Sequence, residues 1–498
     1  MMTAASAACT ELQYMTRSFS ITRTVFTTAA CAFWAMHTSA QVLINTELIE
    51  EHNTNWLRSH GYPDADNGVR VVRFTYWTTG LNGNPTKASG VLVDPVTDCS
   101  TPLLCYIHGT SFRKKDVASY WEENTGAASG SFPYATQGIA TVLPDLLGLG
   151  ESPGLHPYLH AASEASACMD AVRAAREYRT QRGQPLNDQL FLAGSSAGSH
   201  AALATAQAMQ NEHPEEFQVT AVAGINGPYA IYPVMRDAFT SGQNNAGMAN
   251  LAYVLMAYNQ AYPDLFGATS EFMQAPYSSQ VPPLFDGEHT REQIDNKLPN
   301  NADDLLPTAL RNSLENQPNG PLNQRLKENT VFNWKPEFPV KLCYCNSDEF
   351  VSPQNSILAA STFEANGATQ VTTYMPSNTA GHGQCGQLSD PVVLAWILSM
   401  KSSCAVQVED LHAEQPDFTL VPNPVSSGML TLLFGGQRPG STVPVTITDL
   451  SGRTVFAAEL PNLDGRVELS TDGLRNGTYF VSAGSFGTAQ REKLVVLR

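Results

Sequence analysis

The sequence predicts an α/β protein: a mainly parallel sheet flanked by helices, with an inserted helical cap, followed by a small C-terminal all-β sandwich. Three observations carry this. Short apolar runs alternate with helical stretches from about residue 100 to 400, the rhythm of βαβ units. That rhythm breaks between about 228 and 335, where Asn, Pro, Gln and Met accumulate. From residue 418 onward only short strand-like runs remain, divided by Gly, Pro and Asn turns.

The chain has 498 residues, 42% hydrophobic and 15% charged, with a net charge of −17. That length suits two or three domains. The acidic balance argues against nucleic acid as a partner, because polyanions attract basic patches. The one basic run, Arg113–Lys115, reads as a solvated loop.

Residues 1–40 read as an export signal. Arg17 and Arg23 give a positive start, 25–36 a short apolar core, and "HTSA" a small-residue exit before Gln41. The core falls short of the ~20 apolar residues a membrane span needs. Met15 serves equally well as the start. A lipid-modified Cys31 fits less well, because no aliphatic residue stands where one is expected upstream.

The segment 69–94 is expected to open the mature fold as a hairpin turning at Asn82-Gly83. Apolar strands follow at 103–109, 138–145, 189–194, 219–227, 339–348 and 368–375, with helices at 163–181 and 199–212. Continuously apolar strands fit a sheet buried on both faces. The catalytic unit is expected over 41–403, with 228–335, including a helical stretch at 248–262, as its cap. A linker at 404–417 leads to the sandwich at 418–498, which holds no His and no Cys.

Nine cysteines are present, seven of them after residue 40 (9 − 2, removing Cys9 and Cys31). An odd number leaves at least one unpaired within the chain. Cys345 and Cys385 each fall three residues from a candidate catalytic residue, so a bond between their loops is one option. Buried thiols in strands, as for Cys105 and Cys343, are the other. No pair of cysteines has the spacing of a zinc site.

Two pentads, "GESPG" at 150–154 and "GSSAG" at 194–198, fit Gly-x-Ser-x-Gly. A nucleophilic serine needs a sharp strand-to-helix turn, small neighbours, and a following residue whose backbone N–H serves the oxyanion. Ser196 has a strand before it, a helix after it, and Ala197 next in sequence. Ser152 is followed by Pro153, which has no N–H to donate. Ser196 is therefore the candidate. Of the histidines after it, His200 lies one helical turn on and reads as packing or surface. His213 sits at a helix end, His289 in the cap and His412 in the linker. His382 lies in the Gly-rich loop "NTAGHGQCG", where a late general base belongs. Asp348 ends the preceding strand, 34 residues earlier, with Glu349 as an open alternative. A second oxyanion donor falls to the N–H of Gly109 or Thr110, leaving His108 as scaffold.

The segments "VPNPVSSGMLTL", "VTITDLSGR", "LRNGTYFV" and "EKLVV", in that order, resemble the C-terminal sorting domain of type IX secretion substrates. This resemblance implies passage through the Sec system and then the outer membrane, with the type IX machinery as partner and a secreted or cell-surface location. A carbohydrate-binding or adhesive module is the alternative. "YIHGT", "PDLLGLGESPGLHPY", "GSSAG", "NSDEFVSPQNS" and "GHGQC" resemble the secreted esterase/lipase branch of the α/β-hydrolase superfamily. That resemblance implies hydrolysis of small-molecule or lipid carboxylic esters by Ser196, His382 and Asp348, without a cofactor. The HGT in the oxyanion loop departs from the HGGG of one esterase group. A serine peptidase of the same fold, an esterase for polysaccharide-linked acyl groups, and a non-enzymatic surface protein on a decayed hydrolase fold are the rivals.

Overall fold

The computed structural model describes residues 41–123, 130–184, 186–241, 247–402, 418–426, 428–434, 442–483 and 490–498. The expected signal at 1–40 and the linker expected at 404–417 lie outside the described residues.

Nine strands form the main sheet, in the order β1-β2-β3-β5-β4-β6-β7-β8-β9. They are β1 (Leu43–His52), β2 (Gly68–Thr79), β3 (Pro85–Val96), β4 (Thr101–Ile107), β5 (Ala140–Pro144), β6 (Leu186–Ser195), β7 (Val219–Ile225), β8 (Val340–Cys343) and β9 (Val371–Tyr374). The pairs β1/β2, β2/β3 and β3/β5 are antiparallel; the five from β5/β4 to β8/β9 are parallel.

The sheet opens not at residue 69, as expected, but with β1, paired to β2 along an outer edge. Most β1 side chains face solvent, with Ile44 and Leu48 exposed, so no apolar alternation marks the strand in the sequence. Glu177 fastens its start, accepting the N–H groups of Val42 and Leu43 at 2.8 and 3.0 Å.

The central strands are buried on both faces, as their unbroken apolar runs require. Leu103, Cys105, Ile107, Leu190 and Leu192 point to one side, into a cluster with the helices Ala161–Gln181, Ala197–Glu212 and Gln354–Ala365. Leu104, Phe191, Ala193, Ala221 and Ala223 point to the other, against Val393 and Ile397 of the helix His382–Met400. Alanines on the inner face of Ala161–Gln181 are what bring that helix close to the sheet.

Between β7 and β8 the chain leaves the sheet for a set of helices, among them Met248–Ala261, Thr308–Asn316 and Pro321–Glu328. These gather their own apolar cluster, which also takes in Phe112 and Tyr158 from the sheet's loops and Ala197 from the start of the helix Ala197–Glu212. The tail holds β10 (Phe418–Val421), β11 (Met429–Phe434), β12 (Thr442–Asp449), β13 (Thr454–Pro461), β14 (Arg466–Ser470), β15 (Gly477–Ala483) and β16 (Gln490–Val496). They form two antiparallel sheets, β10-β11-β14 and β13-β12-β15-β16, around a separate core. No helix among the described residues is long and apolar enough to cross a membrane.

Candidate active site

Ser196 stands between the end of β6 and the helix Ala197–Glu212, with φ 55° and ψ −125°. This is left-handed backbone that a non-glycine residue adopts at a cost of order 1–3 kcal/mol. Crowding explains its glycine neighbours. A Cβ on Gly194 would stand 2.2 Å from the carbonyl oxygen of Gly198, and one on Gly198 would stand 2.1 Å from that of Ile107. The turn is braced from β7: the Ser196 N–H donates to Ile225 O at 2.7 Å. The hydroxyl of Ser199 lies 2.6 Å from Gly194 O and 2.8 Å from Ile225 O, and accepts the Ile225 N–H at 2.8 Å. Ser152 has none of this. It sits in a loop, and its buried hydroxyl finds no partner.

The structure brings Asp348 and His382 together. Oδ2 of Asp348 lies 2.7 Å from Nδ1 of His382, while Oδ1 accepts the N–H groups of Phe350 and Val351, each at 2.9 Å. The Asp348 side chain is 2% exposed and that of His382 17%. The carboxylate is thus fixed and shielded, while the ring keeps an open side. Glu349 does not reach the ring; its Oε2 accepts the backbone N–H of His382 at 2.9 Å. A disulfide joins Cys345 to Cys385, tying the carboxylate's loop to the helix that begins at His382. Cys105, Cys168 and Cys343 are buried free thiols.

His382 and Ser196 are both tethered to the end of β7, Ser196 through Ile225 and His382 through Asn226, whose Nδ2 donates to the His382 carbonyl at 2.8 Å. The two side chains share no hydrogen bond in this structure.

The loop after β4 closes the third side. A Cβ built on Gly109 would lie 3.4 Å from Ser195 O and 3.5 Å from the Ser196 Cβ, so the backbone of 109 runs directly beside the serine. The His108 ring bridges the carbonyl oxygens of Gly109 (2.6 Å) and Asp145 (3.1 Å). The Thr110 hydroxyl meets the Tyr158 hydroxyl at 2.8 Å, and Asn250 Nδ2 donates to that phenol at 3.0 Å. Burial pushes the pKa of Tyr158 up to about 12, against the two hydrogen bonds, so it stays a neutral phenol. Ala197 opens the helix, and its N–H is among the first-turn donors that have no partner within the helix.

Ser196 also lines a cavity with an empty volume of about 700 Å3, its open mouth included. Ile231, Leu251, Val254, Leu314 and Leu326 make its walls mostly apolar.

Sequence reasoning had no signal for Asn226, whose partner lies 156 residues away; Tyr158 closes the segment "PDLLGLGESPGLHPY", but nothing in the sequence joins it to Thr110 and Asn250. His200 proves fully buried, its Nδ1 2.6 Å from Glu164 and its Nε2 2.6 Å from the Asn329 carbonyl. Its ring ties three elements together, so of the two roles open to it in the sequence, packing or surface, it has the first.

The secretory lipase family model matches residues 132–404, and the model of the secretion system C-terminal sorting domain matches 419–497. Among solved structures, the chain is similar to the rice cell wall degrading esterase LipA from Xanthomonas oryzae, in a ligand-bound form. The identity is 30%, covering 74% of this chain and 97% of that one, with a TM-score of 0.62. A putative hydrolase from Legionella pneumophila (24% identity, covering 72% and 97%, TM-score 0.65) and lipase A from Candida antarctica (17%, 73% and 83%, 0.56) share the fold. No curated protein matches. The sorting domain marks the chain for export, to the cell surface or beyond it. On these matches the chain is a carboxylic ester hydrolase with the α/β-hydrolase fold, and it belongs to the secretory lipase family.

Proposed function

We propose that Ser196 is the nucleophile and that the enzyme works through an acyl-enzyme. In this reading His382 takes the Ser196 proton as the hydroxyl attacks the ester carbonyl, and Asp348 holds the ring's tautomer and supports the imidazolium. The N–H groups of Ala197 and of Gly109 or Thr110 receive the oxyanion, each worth about 10²–10³ in rate. His382 returns the proton to the leaving alcohol, and water then cleaves the acyl-enzyme.

The observation that carries this reading is the placement of Ser196, held in left-handed backbone at a cavity whose walls are mostly apolar. Such walls favour the acyl part of an apolar ester over a peptide's polar backbone. The test is a panel of p-nitrophenyl esters of graded acyl length set against peptide amides, run on wild type, Ser196→Ala and Ser152→Ala. Loss of ester turnover only in Ser196→Ala supports the reading; unaltered turnover in that variant refutes it. Preferred cleavage of the peptides would favour a serine peptidase.

The likeness to a cell wall degrading esterase favours a second reading of the substrate, esters borne on polysaccharide. Release of acetate or ferulate from plant polymers would decide for it. For the chain's organisation, we propose a cleaved signal at 1–40, a catalytic unit over 41–403 capped by 228–335, a linker at 404–417, and a sandwich at 418–498 that the type IX machinery reads.

A further inference from the structure

We propose that Glu349 and Asn226 are positioning residues for the general base, clamping the backbone of His382 from both sides. The inference rests on the triad reading above. Glu349 Oε2 takes the His382 N–H at 2.9 Å, and Asn226 Nδ2 gives a hydrogen bond to the His382 C=O at 2.8 Å. The two bonds fix the peptide groups on either side of one Cα, and the ring's third tether is Asp348 at 2.7 Å.

Two features indicate that the clamp is built for the histidine. His382 is the first residue of a 19-residue helix, where backbone N–H groups have no partner within the helix. The preceding Gly381 offers no capping side chain. The carboxylate that caps instead comes from the loop bearing Asp348, and it comes so close that a Cβ on Gly381 would stand 2.7 Å from Glu349 Oε2. A side chain at 381 would push that carboxylate off its cap, while the φ of −76° at Gly381 is ordinary.

Asn226 carries the second feature. It holds φ 52°, is 2% exposed, and its Oδ1 has no partner. Leaving a buried amide oxygen unpaired is unfavourable, yet the side chain is oriented so that its donor, not its acceptor, meets His382. Its own N–H donates to Cys343 O at 2.9 Å, next to the strand end from which Asp348 departs. The clamp therefore binds the base to the same two strand ends that carry the serine's brace and the acid. An imidazole on the first turn of a helix is displaced by any fraying of that turn, and displacements of about 1 Å in a reacting group cost up to about 10²-fold in rate.

The test uses the full chain with Glu349→Ala, Glu349→Gln, Asn226→Asp and Ser196→Ala, measuring kcat, KM, labelling by a fluorophosphonate, and the unfolding midpoint. Asp at 226 keeps the size and the tolerance of left-handed backbone but replaces the donor by an acceptor. Glu349→Ala and Asn226→Asp are expected to lower kcat and the labelling rate roughly 10- to 100-fold, with KM within about twofold. Glu349→Gln, whose amide oxygen still accepts the N–H, is expected to stay within about threefold of wild type. Wild-type kcat in Glu349→Ala overturns the proposal, as does a Glu349→Gln variant as impaired as Glu349→Ala. Should Asn226→Asp fail to fold, the two Glu349 variants decide. Turnover that survives in Ser196→Ala sinks the underlying triad reading, whereas a dead Ser196→Ala beside a fully active Glu349→Ala sinks the clamp alone.

Discussion

The carboxylate of Asp348 meets the imidazole of His382 at 2.7 Å, and its second oxygen is held by the amides of Phe350 and Val351. One oxygen is thus anchored to the backbone and the other is left to orient the ring. Asp348→Asn keeps the shape but presents an amide, whose donor side would favour the wrong ring tautomer. A loss of roughly 10⁴ in kcat is expected on this mechanism, with little change in KM, in steady-state ester hydrolysis. Retention of more than a tenth of wild-type kcat would move the role of acid elsewhere.

Cys345 and Cys385 close a loop of 40 residues that contains both Asp348 and His382. Chain-entropy arguments assign such a crosslink about 4 kcal/mol. Both cysteines are buried, so the bond belongs to the site's support and is out of reach of mild reductant in the folded state. The double variant Cys345→Ala/Cys385→Ala is expected to unfold at lower urea and to lose ester turnover before it loses its helical circular dichroism. Equal midpoints for variant and wild type would show that packing alone holds the two loops.

The fold and the candidate triad differ in how well the sequence exposes them. Strands such as β4 and β6 announce themselves because both faces are buried, so apolar residues run without a break. The edge strand β1 hides because only Leu43 of its side chains is buried and apolar residues such as Ile44 and Leu48 are exposed, so burial imposes no alternation on it. Ser196 stands out from Ser152 because a strand and a helix flank it and because Pro153 has no N–H to offer after Ser152. Asn226, 156 residues from His382, leaves no local trace, because its role depends on β7 and β8 lying side by side. Between Asp348 and Glu349 the sequence offers only side-chain length; the fold gives one the ring and the other the backbone N–H.

Gly198 should tolerate no side chain. A Cβ at this position would lie 2.1 Å from the Ile107 carbonyl oxygen and 2.4 Å from that of His108, both of them backbone atoms that cannot swing aside. Gly198→Ala must push the serine's helix away from β4, separating Ser196 from Gly109. Expected are a fall of about 1–3 kcal/mol or more in stability, as for overpacked cores, and loss of fluorophosphonate labelling in whatever folds. A variant with wild-type stability and labelling would mean that the helix start moves freely.

Arg179 and Asp94 form an ion pair with both side chains fully buried, at 2.7 Å, joining the helix Ala161–Gln181 to the end of β3. Arg179 also donates to the Thr101 hydroxyl at 3.1 Å. Arg179→Met leaves the carboxylate without its main partner, Arg70 standing 3.8 Å away. A loss of about 3–5 kcal/mol follows, read as a lower urea midpoint. Restoring most of it with Arg179→Met/Asp94→Leu would confirm that the penalty comes from the stranded charge.

His156 sets part of the acid limit. The ring is buried and donates from Nδ1 to the Leu147 carbonyl at 2.7 Å. Burial lowers its pKa from 6.5 to about 4, with that hydrogen bond opposing the shift. A histidine kept neutral in the fold titrates more readily once unfolded, so the unfolded chain binds the extra proton between pH about 6.5 and 4. The stabilising contribution is therefore whole above pH 6.5 and drains away as the pH falls toward 4, by up to about 3 kcal/mol. Substituting Gln, which does not titrate, should flatten this part of the curve. Urea unfolding followed by tryptophan fluorescence reports it cleanly, because the sequence from 418 to 498 contains no tryptophan. Wild type and His156→Gln are expected to diverge in pH slope below 6.5 and to run parallel above it; parallel curves throughout would assign the acid sensitivity to the carboxylates instead.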